Sequence, residues 1–420
     1  MDNYSIVLFL LGVMIIFSAI AEKIRIPVPV VLIVVGIAVG FIPSLPEIAL
    51  NPEVVFLLFL PPLLYDAAFN IRFDEFKTNM NTIGTLAISL VFLTATGIAV
   101  MAHYIIPGMT WPLAFVLGAI LSATDAVAAT SVTKGLGLSH KTLTILEGES
   151  LVNDASALVA YRFAVAAVTG TAFVFWKASL EFLVVLAGGF GVGVVMGWIL
   201  AFLLTRFKQN YMVSISLMLL MPFIAYLLAE EFHVSGVIAV VVLGLMIARF
   251  SKKIFPEHVK QQSKSIWDII IFLLNGLMFI FIGLEFPYVL KGIDAAHVWV
   301  YVLYALLAVI VAIVIRMLRV FLQKVNLQRA FQKNDKRVTE AALLDFKTSL
   351  IITWAGMRGI VSLAVALGLP RTLNDGTPFP ERDIIIFISV VAVLITLLGQ
   401  GLTLPWLVRT LHKKGAHKSG

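Results

Sequence analysis

Residues 146–162 read LEGESLVNDASALVAYR, and Glu147, Glu149, Ser150, Asn153 and Asp154 crowd into one short part of that run. Carboxylates, a hydroxyl and a carboxamide are hard oxygen donors, the groups that bind hard cations and relay protons. On a helix, Glu147, Ser150 and Asp154 fall at i, i+3 and i+7 and share a face, while Glu149 and Asn153, at i and i+4, share the neighbouring one. Two further charges stand in stretches of small residues: Asp125 in SATDAVAATS, and Arg358 in WAGMRGIVS between Gly356 and Gly359.

These groups must be carried by apolar elements, because little else is present. The chain has 420 residues, is 60% hydrophobic and only 13% charged, and has a mean hydropathy of +1.01. That composition belongs to a polytopic membrane protein rather than a soluble domain. With no Cys, disulfides, thiolate metal sites and haem thioethers are excluded. The first apolar run has no Lys or Arg before it, so it reads as a retained span and not as a signal peptide. Crossing the hydrocarbon takes roughly 17–25 apolar residues per helix. Thirteen runs qualify: 4–21, 27–43, 52–70, 82–106, 111–133, 142–169, 179–205, 211–229, 233–250, 265–285, 297–322, 348–370 and 384–408. The expected fold is therefore an all-α transmembrane domain over residues 1–420. Residues 323–347 form a solvated amphipathic link, and the tail after 409 is too short for a regulatory domain.

Lys and Arg remain on the cytoplasmic side of membrane proteins. With the N-terminus outside, 25 of the 31 fall on the cytoplasmic side, Lys23, Arg25, Arg72, Lys77, Lys134, Lys141, Arg206 and Lys208 among them, and four on the other. Arg162 and Arg358 lie within spans. The bias predicts a multi-pass cell-membrane protein with a cytoplasmic C-terminus. It also accounts for the net charge of +7 without a nucleic-acid partner.

A charge at the bilayer centre costs about 2.5–3.5 kcal/mol on insertion scales, so such groups need partners, water or a function. Asp125, Asp154 and Arg358 lie near the centres of the fifth, sixth and twelfth segments, which points to one shared site. Asp154 has no opposite charge on its own helix nearer than Arg162, about 12 Å further along, and reads as functional. Glu149 and Arg316 lie at matched depths about two turns from the cytoplasmic ends of the sixth and eleventh segments, and read as a structural ion pair. Asp66, in PPLLYDAAF, falls in the inner half of the third segment. Thr124, Ser150 and Asn153 equally suit ordinary interhelical hydrogen bonding, and Arg358 could neutralise carbonyls of a broken helix. The stretches ATDAVAATS and AGMRGIVS predict interruptions in the fifth and twelfth segments. Paired interruptions seven segments apart are the signature of an inverted repeat, here segments 1–6 and 8–13, with the site at the crossing.

The sequence resembles the monovalent cation:proton antiporters of the NhaP/NHE type along essentially its whole length. The landmarks are LPPLLYDAAF at 60–69, SATDAVA at 122–128, EGESLVNDASALV at 147–159, NGLMFIFIGLEF at 275–286, Arg316, and GMRGIVSLAVAL at 356–367. The resemblance implies that Asp154 binds Na+ or another monovalent cation in alternation with H+. It also implies that Asp125, Ser150, the Thr124 carbonyl and Asp66 assist in ligation, that Asn153 and Thr124 stabilise the crossing, and that Glu149 with Arg316 braces the core. It further implies a homodimer that serves pH homeostasis and needs no cofactor. In that homodimer residues 82–170 and 297–409 form a mobile core and residues 1–70 and 179–290 a dimerisation scaffold. In this family an Asn-Asp pair goes with electroneutral exchange of one cation for one proton. One departure stands out: the family often has Pro after the Thr-Asp of the fifth segment, and here it is Ala126.

Two rival readings stand beside this one. An intramembrane aspartyl protease also needs two midplane Asp, and Tyr65-Asp66 fits its first motif, but no Gly-x-Gly-Asp follows. A channel needs a re-entrant selectivity loop, and none is legible. Among antiporters, K+ rather than Na+ stays open, because both use the same oxygens.

Overall fold

The structure is a computed structural model that describes residues 3–24, 26–42, 52–133, 135–169, 175–207, 210–254, 257–333, 338–373 and 375–416. Arg25, Lys134 and Lys208, counted above on the cytoplasmic side, lie outside them. In chain order the helices are α1 (Asn3–Ile24), α2 (Val28–Gly40), α3 (Pro52–Asn70), α4 (Phe73–Thr78), α5 (Met80–Gly84), α6 (Leu90–Ile105), α7 (Trp111–Ile120), α8 (Ala126–Thr133) and α9 (His140–Val168). Then come α10 (Phe175–Arg206), α11 (Tyr211–Glu231), α12 (Gly236–Ile254), α13 (Glu257–Lys291), α14 (Val298–Gln332), α15 (Phe346–Trp354), α16 (Ile360–Leu367), α17 (Arg382–Ile395) and α18 (Gly401–Ala416). Single π turns, Thr85–Ser89 and Thr396–Gln400, join α5 to α6 and α17 to α18. The described residues contain no strand, only an isolated bridge between Thr372 and Pro378.

Among the described residues, eight helices are long and apolar enough to cross a membrane, with three shorter apolar ones at Val28–Gly40, Trp111–Ile120 and Gly236–Phe250. The thirteen expected segments thus do not all appear as continuous spans, because the fifth and twelfth are split into α7/α8 and α15/α16. The expected link after residue 322 is helical for its first ten residues, because NLQRAFQ is made mostly of good helix formers and simply prolongs α14. Local sequence sets several helix starts. The side chains of Ser139, Asn210 and Asp345 accept from the N–H groups of Thr142, Val213 and Thr348, capping α9, α11 and α15.

The chain divides into two compact units. The first comprises Met1–Ala49, Thr78–Thr171 and Asn275–Gly420, the second Leu50–Lys77 and Ala172–Leu274. In the first, α2 meets α13 backbone to backbone: a Cβ at Gly36 would strike the Ile280 carbonyl, and one at Gly283 the Ile33 carbonyl. In the second, Gly189, Gly193 and Gly197 recur every four residues along α10 and let it close on Ser235, Ala239 and Met246 of α12 and its approach. Without a hydrophobic driving force between helices in lipid, such small-residue seams supply the packing. Trp198 and Phe202, on the outer side of the same α10, are 62% and 70% exposed, as lipid-facing side chains would be.

Candidate functional site

The site of interest is built where the two interrupted segments of the first unit meet. α7 ends at Ile120 and α8 begins at Ala126, while α15 ends at Trp354 and α16 begins at Ile360. The interruption in the fifth segment is therefore Leu121–Asp125, which takes in the first three residues of the small-residue run that predicted it. Residues 126–131 of that run are helical because Asp125 caps them: its Oδ1 accepts from the N–H groups of Val127 at 2.8 Å and Ala128 at 3.2 Å. A capping carboxylate starts this helix without the Pro often found at 126, and the N–H that Ala126 retains donates to Ser150 Oγ at 3.3 Å. The Asp125 N–H donates to the Met357 carbonyl at 2.7 Å, tying one interruption to the other.

Two side chains then close the four half-helix ends. The Asp125 carboxylate accepts also from the N–H of Ile360, so one anion sits on the N-termini of both α8 and α16. Arg358 does the reverse: its Nε donates to the Leu121 carbonyl at 3.1 Å and its Nη1 to the Gly356 carbonyl at 2.7 Å. Those carbonyls lie just past α7 and α15. Helix N-termini carry partial positive charge and C-termini partial negative charge, so each ionised group meets the dipole ends of opposite sign. Arg358 thus does neutralise carbonyls of broken helices, on both segments.

The approach is close enough to demand glycine. A Cβ at Gly359 would overlap the Asp125 carboxylate, and one at Gly356 would lie 2.6 Å from Cδ and Nε of Arg316. Gly359→Ala should therefore lower the melting temperature in detergent, at an overpacking cost of about 1–3 kcal/mol. A variant that melts like wild type would mean that the crossing is looser than this.

α9 lies beside the crossing and supplies the polar face. Glu149 and Arg316 are both buried and form a two-pronged pair, Nη2 to Oε2 at 2.8 Å and Nη1 to Oε1. Thr124 Oγ1 donates to Glu149 Oε1 at 3.1 Å, and Asn153 Nδ2 donates to Thr124 Oγ1 at 2.7 Å and to the Thr124 carbonyl at 3.2 Å. Glu149, Asn153 and Arg316 thereby hold the interrupted strand of backbone in place. Asp154 is 7% exposed, and its carboxylate makes no hydrogen bond or ion pair among the described residues. Asp125 is the charge that acts on it through space.

Of the residues singled out in the sequence, Thr124, Asp125, Glu149, Ser150, Asn153, Asp154, Arg316 and Arg358 all belong to the first unit. Asp66 belongs to the second. There its Oδ1 accepts from Asn70 Nδ2 at 2.8 Å, and it lines a cavity of about 580 Å³ together with Arg72, Lys77, Arg249 and Asp268. Thr396 was missed: its hydroxyl accepts the Arg358 N–H at 3.1 Å. Only its polarity within an apolar run could have flagged it.

A buried carboxylate beside two crossed half-helix pairs is the arrangement characteristic of secondary transporters. Residues 7–410 match the model of the family described as sodium/hydrogen exchanger, transmembrane, and the chain belongs to that family. It is 37% identical over 395 residues to the sodium, potassium, lithium and rubidium/H(+) antiporter of Bacillus pumilus, an alignment that covers 91% of this chain and 58% of that protein. It is 34% identical over 390 residues to the low-affinity Na(+)/H(+) antiporter NhaS1 of Synechocystis, covering 92% and 70%. The sodium proton antiporter MjNhaP1 of Methanocaldococcus jannaschii superposes with a TM-score of 0.75 over 97% of this chain and 98% of that one, at 20% identity, and so shares its fold. Membership in a family of exchangers removes the protease reading.

Proposed function

We propose that this chain is a secondary antiporter that exchanges Na+ or another monovalent cation for H+, the two competing for Asp154 by alternating access. The observation that carries the reading is the contrast within the crossing. Asp125, Arg358, Glu149 and Arg316 each have fixed partners of opposite sign, and Asp154 has none. A carboxylate left uncompensated can hold a cation or a proton but not both, and that exclusion couples the two fluxes. Asp125, Ser150 and the Thr124 carbonyl assist in ligating the cation, and Asp66 joins them in the reading that the resemblance implies. Residues 82–170 and 297–409, all within the first unit, form the mobile core of a homodimer whose scaffold is residues 1–70 and 179–290. The N-terminus faces outward and the C-terminus the cytoplasm, as the distribution of Lys and Arg requires.

The test is a cation screen of reconstituted protein: Na+, K+, Li+ or Rb+ added outside acid-loaded liposomes, with internal pH as the readout. Proton movement driven by at least one of them is expected, and none at any pH would end the proposal. Potassium is retained as a candidate because the Bacillus relative is named for it.

Stoichiometry is a separate expectation. Asp154 trades one positive charge for another, Asn153 does not titrate, and the charge of Asp125 stays engaged with two helix N-termini. Exchange should then be one for one and indifferent to membrane potential, whereas an electrogenic carrier would feel about 2.3 kcal/mol per charge per 100 mV. Sodium-driven exchange measured with and without a valinomycin-clamped potassium potential decides the matter. A rate that follows the imposed potential would show that a second group, Asp125 first among them, also takes up a proton.

A further inference from the structure

Gln400 is 3% exposed, and neither its Nε2 nor its Oε1 has a hydrogen-bond partner. Both ends of a carboxamide left unpaired inside an apolar span is a costly arrangement. The sequence around it, VVAVLITLLGQGLTL, offers no polar neighbour except Thr396 and Thr403.

Those two threonines place the face on which Gln400 lies. The three residues, at 396, 400 and 403, follow the spacing of one helix face. Thr396 Oγ1 accepts the Arg358 N–H at 3.1 Å, and Trp354 Nε1 donates to Thr403 Oγ1 at 2.9 Å. The stripe therefore runs along the interruption between α15 and α16, from Arg358 to Trp354, and Gln400 stands in the middle of it. At that interruption the N–H groups that would continue α15 turn elsewhere: Met357 N–H goes to the Ala355 carbonyl and Arg358 N–H to Thr396. The carbonyls of Thr353 and Trp354 lose their helical donors by the same turn. Gln400 also closes a π turn, Thr396–Gln400, the kind of local widening that recurs at functional sites. The next residue is Gly401, where a Cβ would lie 3.8 Å from Val132 of α8 and 3.3 Å from Val30 of α2.

We propose that Gln400 holds water against the interruption of the twelfth segment, bridging to the carbonyls that α15 leaves open, and through that water positions the second break for transport. A water molecule is the ligand that fits: it supplies a donor to each carbonyl and both a donor and an acceptor to the carboxamide, whose two polar ends have no protein partner. A cation is disfavoured at this place, because Arg316 Nε bonds the Ile352 carbonyl and Arg358 Nη1 the Gly356 carbonyl nearby. Gln400 is thus a positioning residue that touches neither ion.

The chain has no Cys, so a single thiol placed at 400 is unique. Gln400→Cys in the full-length protein in detergent should react with a small hydrophilic methanethiosulfonate, under conditions that leave Val390→Cys, fully buried on the same helix, unmodified. This readout does not depend on transport, so it separates the present inference from the proposed antiport on which its functional half rests. The second variant is Gln400→Met, which keeps length and shape and serves also if the Cys variant does not fold. Its maximal exchange rate should fall about tenfold or more, while the apparent KM for the driving cation stays within about twofold. Gln400→Asn should recover part of the rate. The inference is overturned if the thiol at 400 is as inert as that at 390. It is equally overturned if Gln400→Met melts higher than wild type and exchanges at the wild-type rate, the outcome for a merely orphaned side chain.

Discussion

Asp154→Asn should abolish cation–proton exchange and leave the fold intact. Asn matches Asp in shape, and the carboxylate it replaces has no hydrogen bond or ion pair among the described residues to lose. What disappears is the charge. At 4 Å and an effective dielectric constant of 20, a carboxylate attracts a monovalent cation by about 4 kcal/mol, roughly a thousandfold in affinity. The proton path is lost with it, since an amide does not titrate. Stability should move the other way. A buried uncompensated charge opposes folding, and the nearby Asp125 adds repulsion, so the variant should melt at or above the wild-type temperature. Loss of exchange with undiminished stability is the signature of a working carboxylate. A structural one would show the reverse, loss of stability first. Wild-type turnover in purified, monodisperse Asp154→Asn would place the competition for cation and proton on another residue.

Much of the site is legible in the sequence because membrane depth acts as a coordinate. Glu149 and Arg316 are 167 residues apart, yet the apolar runs place them at matched depths, and the structure sets them face to face. Glycine also carries information: Gly356 and Gly359 mark the second interruption because nothing larger fits where they stand. The remainder is not legible, for definite reasons. The donors to Asp125 are backbone N–H groups from two segments more than 200 residues apart, and backbone groups leave no mark in the choice of side chains. The same holds for the carbonyls that Arg358 reaches. Residue type could suggest that Arg358 neutralises a broken helix, but only the fold shows that it serves two. The break in the fifth segment takes in only the start of its small-residue run, because small side chains permit an interruption without fixing it. The cap formed by Asp125 fixes it. Thr396 and Gln400 are polar groups that a closer reading of the last apolar run would have singled out.

Breaking the Glu149–Arg316 pair should produce the largest loss of stability in the molecule. Glu149 and Arg316 are 1% and 2% exposed, and the guanidinium forks onto both carboxylate oxygens. Removing one partner strands the other as a buried charge, at a cost of about 3–5 kcal/mol. The two single variants should not be equal. Glu149→Gln keeps a shape that Thr124 can still bond, and Arg316 keeps its Nε donation to the Ile352 carbonyl at 2.9 Å. Arg316→Met loses that donation too, and it leaves the last turn of α15 without its side-chain donor. Its melting temperature should be the lower of the two. Arg316→Lys should not rescue it, because a point ammonium cannot serve two carboxylate oxygens and a carbonyl from one fork. Joining Glu149→Gln with Arg316→Met removes both charges at once, so the double variant should lose clearly less than the singles together, an interaction that a double-mutant cycle reads directly. Additive losses across that cycle would show that the two charges do not depend on each other, and that the crossing is braced by the Asp125 and Arg358 contacts alone.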